Sequence, residues 1–384
     1  MHVTLHLTTS CNFNCKYCYA SNNKNNISMT KEIASKSIDF AVNSMAKNIG
    51  VIFFGGEPLL KKDVIESTID YCKQLETNAP NKYNFHYKIT TNGYLLDDDF
   101  LQYAFENKII ISISIDGIRE SHDMYRKRVD GKATHKIISD KICSLLSYQP
   151  YANALMVISP ENVDNYYESV KFLIEQGFIY IIASLNYAGN WTDKHLLQLK
   201  KQYKLLAKYY KKLTLEEKKF FFSPFEMKLS THIKGKDILC TDCHLAQTQV
   251  SIAPNGDIYP CVQFVQDAYS NKDFVIGDIY NGFNQEKRNQ VYLKSQSSNN
   301  NCNDCAIKSR CNYKCSCLNW QTTGEINKPS AFLCESERII VPIVDKLGEE
   351  LFKMKAASFI QKHYNTIYSV FSLMEDNKWT LMKN

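Results

Sequence analysis

The 384-residue sequence has no apolar run long enough to cross a membrane. Its start, Met1-His-Val-Thr-Leu, has neither the basic head nor the long apolar stretch of a signal peptide. Both absences point to a cytoplasmic protein. An excess of one charge is also missing: the formal net charge is +6, spread along the chain, which gives no dedicated nucleic-acid surface and only a mild bias toward acidic partners. Cysteine is not scarce, and in a reducing cytoplasm fourteen of them argue against a disulfide framework and for metal ligation. Cys11, Cys15 and Cys18 stand at the front, a dense group runs from Cys240 to Cys334, and only Cys72 and Cys143 fall between. With 44% hydrophobic residues the chain has material for one large domain and a smaller one, as in a globular enzyme.

The first half alternates short apolar runs with helical periodicity. An alternating strand, Val3-Thr-Leu5-His-Leu7, is followed by a helix from about Thr30 to Lys47 and an apolar run from Gly50 to Phe54. The beat continues with a helix over 61–76, a strand over 87–90, a helix over 97–106 and a strand over 109–114. A helix over 133–147, a strand over 154–158, a helix over 163–176 and a strand over 179–183 complete it. Six β/α beats predict a partial barrel of parallel strands, α/β in class, over residues 1–190. Residues 191–239 form a basic amphipathic bridge in which Lys200, Lys201, Lys204, Lys208, Lys211 and Lys212 interleave with leucines and Tyr209. Such a stripe has one buried face and one solvated face, and it is also a candidate contact for an acidic peptide. A cysteine-rich domain follows over 240–335, then a helical tail over 336–384 in which Leu347, Leu351, Phe352 and Ala356 form the expected buried stripe.

In parallel barrels the active site lies at the C-terminal strand ends, and the informative residues fall there. Cys11-Asn-Phe-Asn-Cys15-Lys-Tyr-Cys18 follows strand one, Gly55-Gly56-Glu57-Pro58 strand two and Thr91-Asn92-Gly93 strand three, while Ser114-Ile-Asp116-Gly117 closes strand four. Three thiolates in a Cys-x3-Cys-x2-Cys loop can hold three irons of a cubane and leave the fourth without a protein ligand, whereas a four-cysteine site closes its metal. The alternative for this loop is a zinc knuckle short of one ligand. A Gly-Gly pair permits close backbone approach, and a carboxylate beside it can accept hydrogen bonds from an ammonium group. Arg126 is either a carboxylate partner or a solvated arginine. Asp116 either joins the site or serves its own turn. The back of the chain reads Cys240-x2-Cys243, a glycine turn ending in Cys261, then Cys302-x2-Cys305-x5-Cys311-x3-Cys315-x-Cys317, and finally Cys334. Two zinc sites are the alternative reading there.

The front loop with Tyr19 and the Gly-Gly-Glu-Pro stretch resemble the radical S-adenosylmethionine (SAM) superfamily. The back pattern resembles its SPASM extension, which binds two auxiliary [4Fe-4S] clusters. The resemblance implies a TIM-type radical SAM barrel of (β/α)6 form followed by a small SPASM domain, with three [4Fe-4S] clusters and SAM as cofactors. It places the SAM-chelating cluster on Cys11, Cys15 and Cys18, and the methionine amine on Gly55, Gly56 and Glu57. Asn92 and Ser114 would face the ribose and carboxylate, and Arg126 a carboxylate. One auxiliary cluster would take Cys240, Cys243, Cys261 and Cys315; the outer one would take Cys302, Cys305, Cys311 and Cys334. That leaves Cys72 and Cys143 as expected buried helix residues, and Cys317 as an alternative ligand, a substrate-facing thiol or packing.

By the same resemblance, SAM is cleaved reductively to a 5′-deoxyadenosyl radical that abstracts hydrogen from a peptide, and the auxiliary clusters offer an exit for the second electron. The expected activity is anaerobic maturation of a ribosomally made precursor peptide, by a thioether or carbon–carbon crosslink or a related oxidation. The alternative is an anaerobic sulfatase-maturating enzyme, which makes formylglycine. That subgroup carries an aspartate directly after the cysteine that Cys261 matches, and here the position is Val262, with Asp267 the next acid. A third reading, of another class, is a non-catalytic iron–sulfur sensor, against which the intact Gly55-Gly56-Glu57-Pro58 speaks. Expected partners are the peptide or protein substrate and an electron donor such as a flavodoxin or ferredoxin. Because the chain starts on strand one, a separate leader-binding protein, the lysine helix or the tail after Cys334 would recognise the leader. No nucleic-acid or membrane partner is expected.

Overall fold

The computed structural model describes all residues except 21–25, 45, 236–242, 244, 266–271, 298–301, 371, 373 and 377–384. Cys240 and Asp267 therefore lie outside the described residues. The strands are β1 (His2–His6), β2 (Asn48–Phe54), β3 (Asn84–Thr91), β4 (Ile109–Ser114), β5 (Asn153–Ile158), β6 (Tyr180–Leu185), β7 (Phe221–Phe222), β8 (Gln249–Ile252), β9 (Asp257–Tyr259), β10 (Gly277–Asp278) and β11 (Gly282–Phe283). Helices α1 (Lys31–Val42), α2 (Lys62–Asn78), α3 (Asp98–Glu106), α4 (Arg119–Tyr125), α5 (His135–Ser139), α6 (Ile142–Tyr148) and α7 (Tyr166–Glu175) accompany the first six strands. The remaining helices are α8 (Asp193–Leu215), α9 (Ser223–Lys234), α10 (Gln285–Gln296), α11 (Ser316–Thr323), α12 (Ala331–Lys353) and α13 (Ala357–Tyr364).

Two compact units divide the chain. The first holds Met1–Ser114, Tyr125–Lys141 and His244–Ser297. Its strands β1 to β4 are parallel and neighbours in order, with Leu5 opposite Phe53, Phe53 opposite Ile89 and Ile89 opposite Ile111. Period-two alternation puts Val3, Leu5, Val51, Phe53, Ile89, Ile111 and Ile113 on one fully buried face of this sheet. The other edge of β1 pairs in parallel with β8, Leu5 opposite Ile252. From there β8, β9, β10 and β11 continue as an antiparallel meander. The glycine turn expected before Cys261 joins β8 and β9 as a hairpin at Gly256, whose φ of 89° suits glycine.

The second unit holds Ile115–Met124, Ile142–Cys243 and Ser298–Asn384. Strands β5, β6 and β7 are parallel within it, and α12 packs on α8 and α9. On α8, Leu199, Tyr203, Leu206, Tyr210 and Leu213 are buried, while Lys200, Lys201, Lys204, Lys208 and Lys212 are exposed, as amphipathic spacing requires. Lys211 pairs with Glu350 at 2.9 Å.

Three local expectations need correction. The helix over 133–147 is broken into α5 and α6 at Asp140–Lys141, where the Lys141 ammonium reaches out to the carbonyls of Tyr94 and Leu96 at 2.5 and 2.6 Å. Cys143 is exposed, because α6 buries Ile142 and Leu145 on a neighbouring stripe; Cys72 is fully buried as expected. Phe352 is half exposed, one residue off the buried Leu347–Leu351 line. The helix that carries that line starts early, capped by Ser330, so Cys334 sits in its first turn.

Candidate active site

The strand ends of the first unit bring the front residues together. Beyond β1 the backbone of Thr8 to Ser10 lies against Gly55 and Gly56: the Gly56 N–H donates to the Thr8 carbonyl at 2.8 Å and the Glu57 N–H to that of Ser10 at 2.9 Å. A Cβ on Gly56 would stand 2.2 Å from the Ser10 oxygen, and one on Gly55 2.5 Å from the Thr8 oxygen. The close approach that these glycines allow is therefore to the chain's own backbone, directly ahead of Cys11.

Glu57 is wholly buried. Its Oε1 accepts from the Leu59 N–H at 3.0 Å and the Thr91 hydroxyl at 2.7 Å, and its Oε2 from the Asn92 N–H at 2.7 Å. The carboxylate thus ties the end of β2 to the end of β3. Burial pushes its pKa up to about 7, against these three hydrogen bonds, which favour the ionised form. Asn92 reaches back in turn: its Nδ2 donates to Asn12 Oδ1 at 2.7 Å and lies 3.8 Å from the Cys11 sulfur. Ser114 closes β4, partly exposed.

The cysteine loop is docked by a segment that sequence reasoning missed. Asn14 N–H donates to the Lys127 carbonyl at 2.8 Å, Lys16 N–H to that of Tyr125 at 3.1 Å, and Val129 N–H to that of Asn12 at 3.2 Å. Phe13 and Arg128 form an antiparallel bridge. Arg126, expected as either a carboxylate partner or a solvated residue, is buried, with its guanidinium 5.3 Å from the ring centre of Tyr17 between Cys15 and Cys18. Asp116 belongs to the second unit, is fully buried, and accepts the Val157 N–H at 3.0 Å, so it serves the backbone of β5.

The donor set of the front loop fits an iron–sulfur cluster. Phe13 N–H points at the Cys11 sulfur from 3.4 Å and Asn92 Nδ2 adds a second donor, both suited to a thiolate ligand. Without a metal, burial pushes the Cys11 thiol up to about 11, with Glu57 and Cys18 pushing the same way. Among the described residues no three His, Cys, Asp or Glu side chains gather as a single metal ion would require.

In the second unit Cys302, Cys305, Cys311 and Cys334 are linked pairwise through Cys334, which is influenced by Cys302 and Cys305 and itself influences Cys311. Burial raises the Cys302 and Cys334 thiols, and Cys305 raises both further. Burial also lifts Cys311 to about 12, with Glu337 and Cys334 adding to it. Cys302 and Cys305 also disfavour ionisation of Cys334, and a cationic iron centre would relieve such a thiol set. The Cys315 sulfur is 3.5 Å from that of buried Cys317, which draws its pKa down. Cys243 is also in this unit and Cys261, two residues beyond β9, is in the first. Val262 opens a 3-10 turn, Val262–Phe264.

Two family descriptions match the chain: the radical SAM superfamily over residues 5–173 and SPASM, an iron–sulfur cluster-binding domain, over residues 243–306. An uncharacterised protein of Methanocaldococcus jannaschii is 36% identical over 46% of this chain and 59% of its own length, so the chain matches less than two thirds of that relative. A serine-type anaerobic sulfatase-maturating enzyme of Bacteroides thetaiotaomicron is 25% identical over 92% of both chains. The solved structure of native anSMEcpe with bound AdoMet superposes with a TM-score of 0.77 at 19% identity, covering 91% of this chain and 99% of that one. Streptococcus suis SuiB bound to its precursor peptide SuiA gives 0.57 at 15% identity, covering 86% of this chain and 75% of that one. These likenesses show the expected α/β fold of TIM type, and among the described residues no helix is long and apolar enough to cross a membrane. The chain carries a radical SAM domain followed by a SPASM iron–sulfur cluster-binding domain.

Proposed function

We propose that this protein is a radical SAM/SPASM enzyme that oxidatively modifies a ribosomally made precursor peptide. The observation that carries the reading is the pairing of two cysteine regions: Cys11, Cys15 and Cys18 on a loop docked to strand ends, and the cysteines of a second region that matches an iron–sulfur cluster-binding domain. When bound, the open [4Fe-4S] cluster and SAM supply a 5′-deoxyadenosyl radical for hydrogen abstraction, and the auxiliary clusters supply an electron acceptor. The chain's own part is placement. Cys11, Cys15 and Cys18 would hold the front cluster, with Phe13 N–H and Asn92 supporting the Cys11 sulfur. Gly55, Gly56, Glu57, Asn92, Ser114 and Arg126 would surround SAM. Glu57 has all its donors from the protein, so its role is first to fix the β2 and β3 ends and then to offer negative charge toward an ammonium group. Two auxiliary clusters would complete three, the nearer on Cys240, Cys243, Cys261 and Cys315.

Formylglycine formation is the second reading, favoured by the end-to-end match to the sulfatase-maturating relative. Val262 speaks against it, because an aliphatic side chain on that turn cannot take a proton. An electron donor such as a flavodoxin or ferredoxin, and a separate leader-binding protein, belong to the same proposal. The test is anaerobic incubation with SAM, dithionite and two peptide sets, cysteine-containing precursor peptides and sulfatase-derived peptides. Loss of two hydrogens from a precursor peptide, with no aldehyde, is the expected result. A hydrazine-reactive aldehyde on a sulfatase peptide would replace the first reading with the second.

A further inference from the structure

Two ion pairs hold the segment that carries Cys311. Lys228 on α9 and Glu337 on α12 meet at 2.6 Å with side chains only 5% and 3% exposed. The Lys228 ammonium also donates to the Arg310 carbonyl at 2.8 Å, one residue before Cys311. Arg310 returns the contact: its guanidinium donates to the Lys228 carbonyl at 3.1 Å and grips both oxygens of Asp345 on α12 at 2.6 and 2.5 Å. His232 also faces Asp345, at 3.3 Å. Glu337 follows Cys334 by three residues on α12, so both lie on one side of that helix. The segment bearing Cys311 is thereby fastened to the helix bearing Cys334.

A buried ion pair is a poor device for stability alone, since well-packed apolar residues of the same volume do as well or better. Here the charges stand beside a thiol set. The Lys228 ammonium stands on the carbonyl of the residue before Cys311, and Glu337 lies one helical turn beyond Cys334, so the pair adjoins two of the proposed ligands. We propose that Lys228 and Glu337 are positioning residues of the outer auxiliary cluster, the ammonium favouring its reduced state and the carboxylate its oxidised state, so that the pair sets its reduction potential. This rests on the assignment of Cys302, Cys305, Cys311 and Cys334 as its ligands. Reduction adds one electron, and hence one negative charge, to the cluster; a nearby cation stabilises that added charge and a nearby anion opposes it.

The experiment is an EPR-monitored dithionite titration of the full-length protein, reconstituted anaerobically in a Cys11→Ala, Cys15→Ala, Cys18→Ala background so that only auxiliary clusters report. Lys228→Met should move one signal to lower potential and Glu337→Gln should move the same signal to higher potential, with iron content unchanged. Lys228→Arg should leave it in place. Unmoved signals, or shifts of one sign in both variants, overturn the proposal. Where a neutral substitution loses iron, Glu337→Asp takes its place: it keeps the charge but draws the carboxylate back by one methylene, and should raise the potential. An unmoved signal there overturns the proposal equally. Failure of the ligand assignment looks different, since Cys302→Ala with Cys311→Ala would then leave the iron content of the parent intact.

Discussion

The two thiol regions are held by different physics. Around Cys11 the supports are neutral donors and backbone: Gly55 and Gly56 close on Thr8 to Ser10, residues 12–16 run beside 125–129, and the one central carboxyl, Glu57, is satisfied by two N–H groups and a hydroxyl. Around Cys311 the supports are opposed charges, Lys228 with Glu337 and Arg310 with Asp345. A site of the first kind is fixed by strand register and tolerates little change in backbone shape. One of the second kind is fixed by side chains far apart in sequence, and its electrostatics can be altered by single substitutions.

The largest effect separates the two regions by role. Replacing Cys11, Cys15 and Cys18 with alanine should abolish 5′-deoxyadenosine formation and remove about four of roughly twelve irons per chain. Replacing Cys302, Cys305, Cys311 and Cys334 should remove a similar amount of iron yet leave SAM cleavage. Iron assay and chromatography of the nucleoside check this, and equal loss of cleavage in both would erase the distinction.

Next in size is the charge network. Lys228→Met should lower the unfolding free energy by about 3–5 kcal/mol, because it leaves Glu337 buried and unpaired. Lys228→Met with Glu337→Leu should recover most of that loss in denaturant titrations. A single variant as stable as the parent would mean that the second region does not depend on its charges.

Much of the first region was legible because its residues sit in short motifs at consecutive strand ends: the cysteine loop, Gly55-Gly56-Glu57 and Asn92 all fall where parallel β/α order predicts. The segment over 125–129 that docks the loop was not legible, since backbone pairing at that separation leaves no periodic trace in side-chain types. Thr91 was quoted only as a neighbour of Asn92, yet its hydroxyl is one of the three donors on Glu57. In the second region the cysteine spacing was legible and the charges were not. Lys228 and Glu337 look like ordinary amphipathic-helix residues until tertiary packing buries both. Cys143 and Phe352 show the converse: helical periodicity was visible, but a phase error of one residue moves a side chain by about 100° and out of the core.

Glu57 provides a smaller effect that sharpens the contrast, because it is a buried carboxyl with no ion-pair partner among the described residues. Its pKa of about 7, raised from 4.5 by burial, means that the folded state binds its proton more tightly than the unfolded chain does. Its contribution to stability is therefore fully present below about pH 4.5 and is lost as pH rises toward 7, by on the order of 3 kcal/mol at most. Glu57→Gln should remove this slope in pH-dependent unfolding of the metal-free protein. The same substitution should cost about 1–3 kcal/mol near neutral pH, since an amide cannot accept from all three donors, and should weaken SAM binding. An unchanged pH slope would show that the carboxyl does not titrate in this range.

The smallest expected effect is at Cys317. Its sulfur rests on Cys315 within a buried turn of α11, so Cys317→Ala should keep all clusters and lose about 1 kcal/mol or less of stability. Loss of an auxiliary cluster in this variant would make Cys317 a ligand and move the boundary of the second region.

The most direct measurement combines metal content and cleavage in one sample: protein purified and reconstituted without oxygen, assayed for iron and zinc, then given SAM and dithionite. The account predicts about twelve irons per chain, no stoichiometric zinc, and formation of 5′-deoxyadenosine. Zinc in place of iron, or a fully iron-loaded protein that binds SAM and never cleaves it, would contradict the account.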